Sequence, residues 1–265
     1  MAFSLTEYGD MSWTVSSVLG TKHLFTRRLG GVGDFPYSTD PDPAMDPVRE
    51  RVREIWLRLR ERGGFPEEGF CFTRQVHGTV IRTVGAGDRL MPPIRFRPED
   101  CDGLITAEKD VPLCVFTADC VPVLFSEPEA GIVCAVHSGW RGTAADMMGS
   151  AVSAIGKMGG RPENIRAAIG PAISRCCFET GPEVKEAVEA LLGADAEGLC
   201  PPEDGVPGKY MVDLKEINRR RLMQLGVKAE HIDVSPDCTM CLSDVYWSHR
   251  ATGGQRGTMA SIIML

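Results

Sequence analysis

Between residues 71 and 137 the chain carries one short apolar run after another, separated by turn residues, with no helical pattern between them. Runs at 71–77, 80–84, 102–106, 111–120, 121–125 and 131–137 each have the length and composition of a strand. A doubly wound fold would place a helix after each strand, so that architecture is excluded. Further strands are read at 13–15, 23–26, 164–169, 245–250 and 259–264, and residues 1–10 read as a polar leader.

Helical periodicity is confined to the flanks. Asp46 and Pro47 open one helix, with Val48, Val52, Ile55, Trp56 and Leu59 on one face and Gly63–Gly64 at its end. Thr143 is the predicted N-cap of a second, with Met147, Met148, Val152, Ile155 and Met158 inward. Thr180 and Glu183 form a capping box for a third, and Asp213 caps a fourth carrying Leu214, Ile217 and Leu225. The fold class that accommodates these elements is α/β, a sandwich of mixed β-sheets with flanking helices. Nothing in composition marks a linker, so residues 1–265 are expected to form a single domain.

A net charge of −7 argues against a surface that follows phosphate backbones, because that mode needs uncompensated Lys and Arg. Nucleic acid is therefore not expected as a partner. No apolar run approaches 18 residues and no cationic leader precedes one, so no membrane contact and a cytoplasmic location are expected. Ten cysteines in such a chain favour reduced thiols. Cys71, Cys101, Cys114, Cys134, Cys176 and Cys200 are read as small core hydrophobes, and Cys238–Cys241 as a CxxC without a second pair at zinc-ribbon spacing.

Three residues stand out for chemistry. His77, Cys120 and His137 each end an apolar run and precede a turn, at Gly78, Val121–Pro122 and Ser138–Gly139. Two imidazoles and a thiolate suit zinc, with a fourth position left for water or substrate. The same residues allow a Cys120 nucleophile with His137 as base, oriented by Asp119 or Gln75. They also allow a buried thiol beside two hydrogen-bonded core histidines. Alternation places Gln75 on the face of His77, Cys120 with Ala118 and Phe116, and His137 with Ala135 and Val133. The glycines of Gly139-Trp-Arg-Gly142, between strand and helix, make an anion site, and Gly30–Gly31 would let backbone approach a ligand. His23 and His231 lack evident partners, and His249 beside Arg250 reads as a surface pair.

The segments Gln75-Val-His77-Gly78, Asp102-Gly103-Leu-Ile-Thr, Thr117-Ala-Asp-Cys120-Val-Pro, Ala135-Val-His137-Ser-Gly-Trp140-Arg-Gly142, Gly170-Pro-Ala-Ile, Cys176-Cys177-Phe-Glu and Asp213-Leu-Lys occur in this order. Together they resemble the YfiH-type laccase-domain family, described both as polyphenol oxidases and as purine nucleoside phosphorylases. The resemblance implies Zn2+ held by His77, Cys120 and His137. It implies phosphorolysis of adenosine, inosine, guanosine and methylthioadenosine, with adenosine deamination at the same site. Purine nucleosides and inorganic phosphate would then be the partners of a monomer or homodimer. Arg28, Arg141 and Arg250, with Gln75, would contact phosphate or ribose. The tail departs from the family pattern, with Ala251 and Thr258 where arginines are usual. Other readings are a copper-dependent phenol oxidase, for which five histidines are few, a cysteine hydrolase acting on cell-wall precursors or amides, and a binding protein with a vestigial site.

Overall fold

The apolar runs are strands shared between two six-stranded sheets. The computed structural model describes residues 3–28, 46–91 and 99–265, so Gly30 and Gly31, expected to let backbone approach a ligand, lie outside the described residues. Across the first sheet run β1 (Phe3–Tyr8), β2 (Met11–Ser16), β3 (Lys22–Thr26), β14 (Met259–Met264), β7 (Leu113–Thr117) and β4 (Cys71–Phe72). Across the second run β13 (Ile232–Val234), β10 (Arg166–Ile169), β8 (Val121–Glu127), β9 (Ile132–Ser138), β6 (Gly103–Thr106) and β5 (Ile81–Thr83). Both sheets are mixed: β4 with β7, β5 with β6 and β10 with β13 are parallel, and the other pairs are antiparallel. A small third sheet joins β11 (Glu179–Thr180) to β12 (Tyr210–Met211). The supposed leader is β1, paired along its whole length with β2.

Side-chain alternation sorts the core into layers. On β7, Leu113 and Val115 face the other sheet, while Cys114 and Phe116 face α1 (Asp46–Gly63). Trp56 of α1 meets Phe70, Phe72 and Phe116 edge-on. On β9, Val133 and Ala135 face inward; Ile132, Cys134 and Val136 face α3 (Met147–Lys157), α4 (Pro182–Leu192) and α5 (Leu214–Gln224). The order is helix, sheet, sheet, helices. Each fully buried aliphatic or aromatic side chain contributes roughly 1.5–3 kcal/mol to that stack.

Helix starts differ from two of the expected caps. Thr143 is not an N-cap: α2 (Trp140–Ala144) starts at Gly139, and Asp146 caps α3 through its side chain, which accepts from Gly149 N. Thr143 instead shares its hydroxyl with Ser138 Oγ at 2.9 Å and with Asn218 Nδ2 at 3.3 Å, which pins α2 to the end of β9 and to α5. Thr180 belongs to β11, and Gly181 caps α4 without a side-chain bond. Asp213 caps α5 as expected, accepting from Glu216 N.

At one end of the sandwich the chain passes twice from the first sheet to the second. One passage runs from β4 to β5 through His77, the other from β7 to β8 through Cys120. His137 lies near the end of β9, where its parity continues the inward face of Val133 and Ala135.

Candidate metal centre

Strand β4 ends at Phe72, so His77 does not terminate a strand as expected. It sits in a loop with φ 61°. Left-handed backbone is sterically costly for a residue with a Cβ, and it persists where surroundings over-determine it. Here the buried Asp102 carboxylate does so, accepting from His77 N at 2.9 Å, Gly78 N at 2.8 Å and Val76 N at 3.2 Å.

Cys120 is likewise outside a strand. Residues 118–120 form a bend in which Asp119 has φ 87°, so alternation from Phe116 does not carry to Cys120. Asp119 does not orient His137. Its carboxylate accepts from Thr239 Oγ1 at 2.6 Å and Arg250 N at 2.7 Å, and its carbonyl accepts from Ile173 N. Three distant segments are thereby fastened to the residue before the thiol.

The group that orients His137 is Asp102, whose Oδ1 lies 2.8 Å from His137 Nδ1. His137 N also donates to the Asp102 carbonyl at 2.7 Å. A carboxylate that accepts from Nδ1–H keeps the ring proton on Nδ1 and leaves Nε2 free to act as a ligand. Asp102 was missed as a functional residue. Its signal was an acid heading a run in which Gly103, Leu104 and Ile105 are all apolar, where an unpaired charge would be costly.

His77, Cys120 and His137 converge, each with a ligand atom within 4.8 Å of the others. Cys120 Sγ is 4.0 Å from His77 Nε2, and the two rings stand 4.9 Å apart at 83°. Burial alone would raise the Cys120 thiol, but hydrogen bonds to His137 and His77 outweigh it and bring its pKa down to about 6. Burial opposes charge on His137 as well, yet Asp102 and Cys120 push its pKa up to about 9. For Asp102 the burial cost is exceeded by His137 and the backbone N–H groups, which hold the carboxyl below its ordinary range. The cluster is thus built to keep sulfur as thiolate, the form in which it binds metal.

Gly139 is the floor of this cluster. A Cβ there would stand 2.9 Å from His77 Cδ2 and 3.1 Å from Cys120 Sγ, while φ −69° suits any residue. Gly139→Ala is therefore expected to lower metal occupancy with the fold kept, read from metal per chain beside the circular dichroism spectrum. Full occupancy in that variant would show that the ligands do not close over Gly139.

The three arginines each lie over an aromatic ring. Arg28 is 3.8 Å from the Trp247 centroid, Arg141 4.4 Å from Trp140 and Arg250 5.5 Å from Phe178. Stacking uses the face of a guanidinium and leaves its N–H groups at the edge, where an oxyanion binds. Arg28 also donates to the Ser243 carbonyl, and Arg250 to that of Glu179. The expected strand at 245–250 is instead a turn followed by the short helix α6 (His249–Thr252), capped by Ser248, because Arg250 N is drawn to Asp119. Gln75 has a different place from the arginines. Its amide mimics a strand neighbour, donating to the Phe116 carbonyl and accepting from Phe116 N, both at 2.7 Å. Its amide groups hold the His77 loop against β7.

Other histidines and cysteines were placed less well. His23 has partners after all: Nε2 accepts from Ser16 N at 2.8 Å, and Nδ1 meets the Thr21 carbonyl at 2.7 Å. Cys71, Cys101, Cys114 and Cys134 are buried as expected and Cys200 is half-buried. Cys176, expected in the core, is exposed and gathers with Cys177, Cys238 and Cys241.

Residues 22–265 match the family model described as multi-copper polyphenol oxidoreductase laccase. Over 247 residues, 90% of this chain and 88% of the relative, the sequence is 39% identical to purine nucleoside phosphorylase YlmD of Geobacillus stearothermophilus. It is 36% identical over 210 residues to adenosine deaminase RL5 from an unknown prokaryotic organism, covering 78% of this chain and 79% of that one. The crystal structure of the Geobacillus stearothermophilus YlmD superposes with a TM-score of 0.85 at 33% identity over 99% of both chains. That of the hypothetical protein YfiH from Bacillus licheniformis superposes with 0.83 at 29% identity, over 99% of this chain and 98% of that one.

Proposed function

The chain belongs to the multi-copper polyphenol oxidoreductase laccase family, and on that premise we propose that it is a zinc-dependent purine nucleoside phosphorylase with adenosine deaminase side activity. The observation that carries the reading is the convergence of His77, Cys120 and His137 within 4.8 Å at the sheet crossings. Their donor set, two imidazole nitrogens and a thiolate with Asp102 behind His137, fits zinc with one position left open. When bound, zinc supplies Lewis-acid polarisation of a substrate oxygen or activation of water. A multinuclear copper oxidase needs many imidazoles. Of five histidines, His77 and His137 alone join a metal-type cluster among the described residues.

In phosphorolysis a phosphate oxygen forms a bond to the anomeric carbon while the bond from that carbon to the purine breaks. The electron pair leaves with the base, which takes up a proton. The protein must hold a dianion beside a carbon of growing positive charge, and planar, permanently charged guanidiniums do this well. Arg28, Arg141 and Arg250 are the residues proposed for phosphate and ribose, with Gln75 holding the His77 loop against Phe116. The name of the YlmD relative supports this reading, and that of RL5 supports deamination at the same centre.

Adenosine and inosine incubated with and without inorganic phosphate test it. Free base and ribose 1-phosphate formed only with phosphate are the expected products. Inosine formed from adenosine at the same rate in both, with no ribose 1-phosphate, would make deamination the main activity. A thiol hydrolase remains the second reading because Cys120, His137 and Asp102 form a thiolate, imidazole and carboxylate series. Iodoacetamide labelling of Cys120 in zinc-loaded protein would favour it; a thiolate bound to metal resists alkylation.

Zinc affinity is expected to rise with pH. His137, raised to about 9, must lose its Nε2 proton before that nitrogen can bind metal, whereas Cys120, lowered to about 6, is already a thiolate above that pH. Between about pH 6 and 9 the affinity should climb about tenfold per unit, and more steeply below 6 as the thiol also competes. Competition titration with a chromophoric chelator measures the slope, and a flat profile would contradict it.

A single domain over residues 1–265, a cytoplasmic location and a monomeric or homodimeric state belong to the same proposal. Among the described residues no helix is long and apolar enough to cross a membrane.

A further inference from the structure

Strands β10 and β13 are parallel neighbours, so the segments that leave their C-terminal ends emerge side by side. One carries Cys176 and Cys177, the other Cys238 and Cys241, and Ala172 bridges Cys238 between them. The four sulfurs lie within 4.8 Å of one another. Cys241 Sγ is 3.5 Å from Cys176 Sγ and 3.4 Å from Cys177 Sγ, and all four thiols are free.

We propose that Cys176, Cys177, Cys238 and Cys241 form a second metal site that holds one zinc ion in a tetrathiolate cage. The spacing carries the assignment. Zinc–sulfur bonds of about 2.3 Å in a tetrahedron set sulfurs about 3.8 Å apart, which is the scale seen here. Cys241 is shared almost equally by two neighbours, an arrangement that pairwise disulfides would not produce and a central ion does. An iron–sulfur cluster spreads four cysteines wider, because several irons and sulfides lie between them. Around the cage, Ser174 N donates to Cys238 Sγ at 3.4 Å. The buried Lys215 ammonium, tied to the carbonyls of Ser235 and Asp237, offsets the excess negative charge of four thiolates on a divalent ion. Exposure of Cys176 and Cys241 leaves a way in for the metal.

The cage would fasten the loops that support the first centre. Thr239, next to Cys238, donates to Asp119 Oδ1 and to the Ala172 carbonyl; Ile173 donates to the Asp119 carbonyl. Asp119 in turn sets the bend that presents Cys120. The second zinc is thus structural, and it acts on the first site through the position of Asp119.

Metal analysis with zinc as the sole added ion tests the proposal. Wild type should hold about two zinc ions per chain, and His77→Ala/Cys120→Ser about one, ligated by sulfur alone in zinc K-edge X-ray absorption. Cys238→Ser/Cys241→Ser should lose one equivalent, and the His77 double variant keeps the question open to measurement if that protein fails to fold. Absence of zinc from His77→Ala/Cys120→Ser, iron in its place, or an intact mass showing these cysteines joined as disulfides would overturn the assignment. None of those results would touch the phosphorylase reading, which the phosphate-dependent assay decides separately.

Discussion

Cys120→Ser is expected to empty the His77, Cys120 and His137 centre and to lower phosphorolysis on the order of a thousandfold, as loss of about 4 kcal/mol of transition-state stabilisation would do. The substitution changes one atom. Serine fits the bend set by Asp119, so the fold should persist, but a hydroxyl does not ionise near neutral pH and gives zinc a poor third ligand. Two readouts separate this from other accounts. Zinc content should fall by one equivalent together with activity, and His137, deprived of its thiolate partner, should move down from its raised pKa. A variant that kept its zinc while losing turnover would point to Cys120 as a nucleophile, and one that kept turnover would remove the site from the reaction.

The legible part of this fold was what local pattern controls. Residues 132–138 lie in a single strand flanked by strands on both sides, so strict alternation put His137 on the face of Val133 and Ala135. The same reasoning failed for His77 and Cys120, which lie where the chain changes sheets. There the backbone leaves strand geometry at φ 61° and 87°, held by hydrogen bonds from residues distant in sequence. Asp102 escaped notice because its four partners come from the loop at 76–78 and from strand β9, which only the folded sheets bring together. The cysteine cage was hidden for a similar reason. Its halves stand 65 residues apart, and the parallel pairing of β10 with β13, not their spacing, makes them neighbours.

Asp102→Ala should then be the most damaging single change outside the ligands. The carboxylate is fully buried and serves Val76 N, His77 N, Gly78 N and His137 Nδ1. Removing it takes the shared acceptor from four donors, the buried His137 Nδ1 among them, at a cost of about 3–5 kcal/mol of stability, and frees the His77 backbone from the contacts that hold its positive φ. Asp102→Asn separates support from orientation. An amide fills the space, but its NH2 group faces donors, so it cannot serve all four partners and the His137 tautomer is no longer imposed. Zinc affinity should drop about 10–100-fold, with a smaller loss of stability than in the alanine variant. The pH profile is the readout that a purely structural role would not move. With Asp102 gone, His137 loses the partner that raises its pKa, so the rise in zinc affinity should level off well below pH 9. An Asn variant that bound zinc with the wild-type affinity and pH slope would show that His137 is oriented by its ring packing against His77 instead.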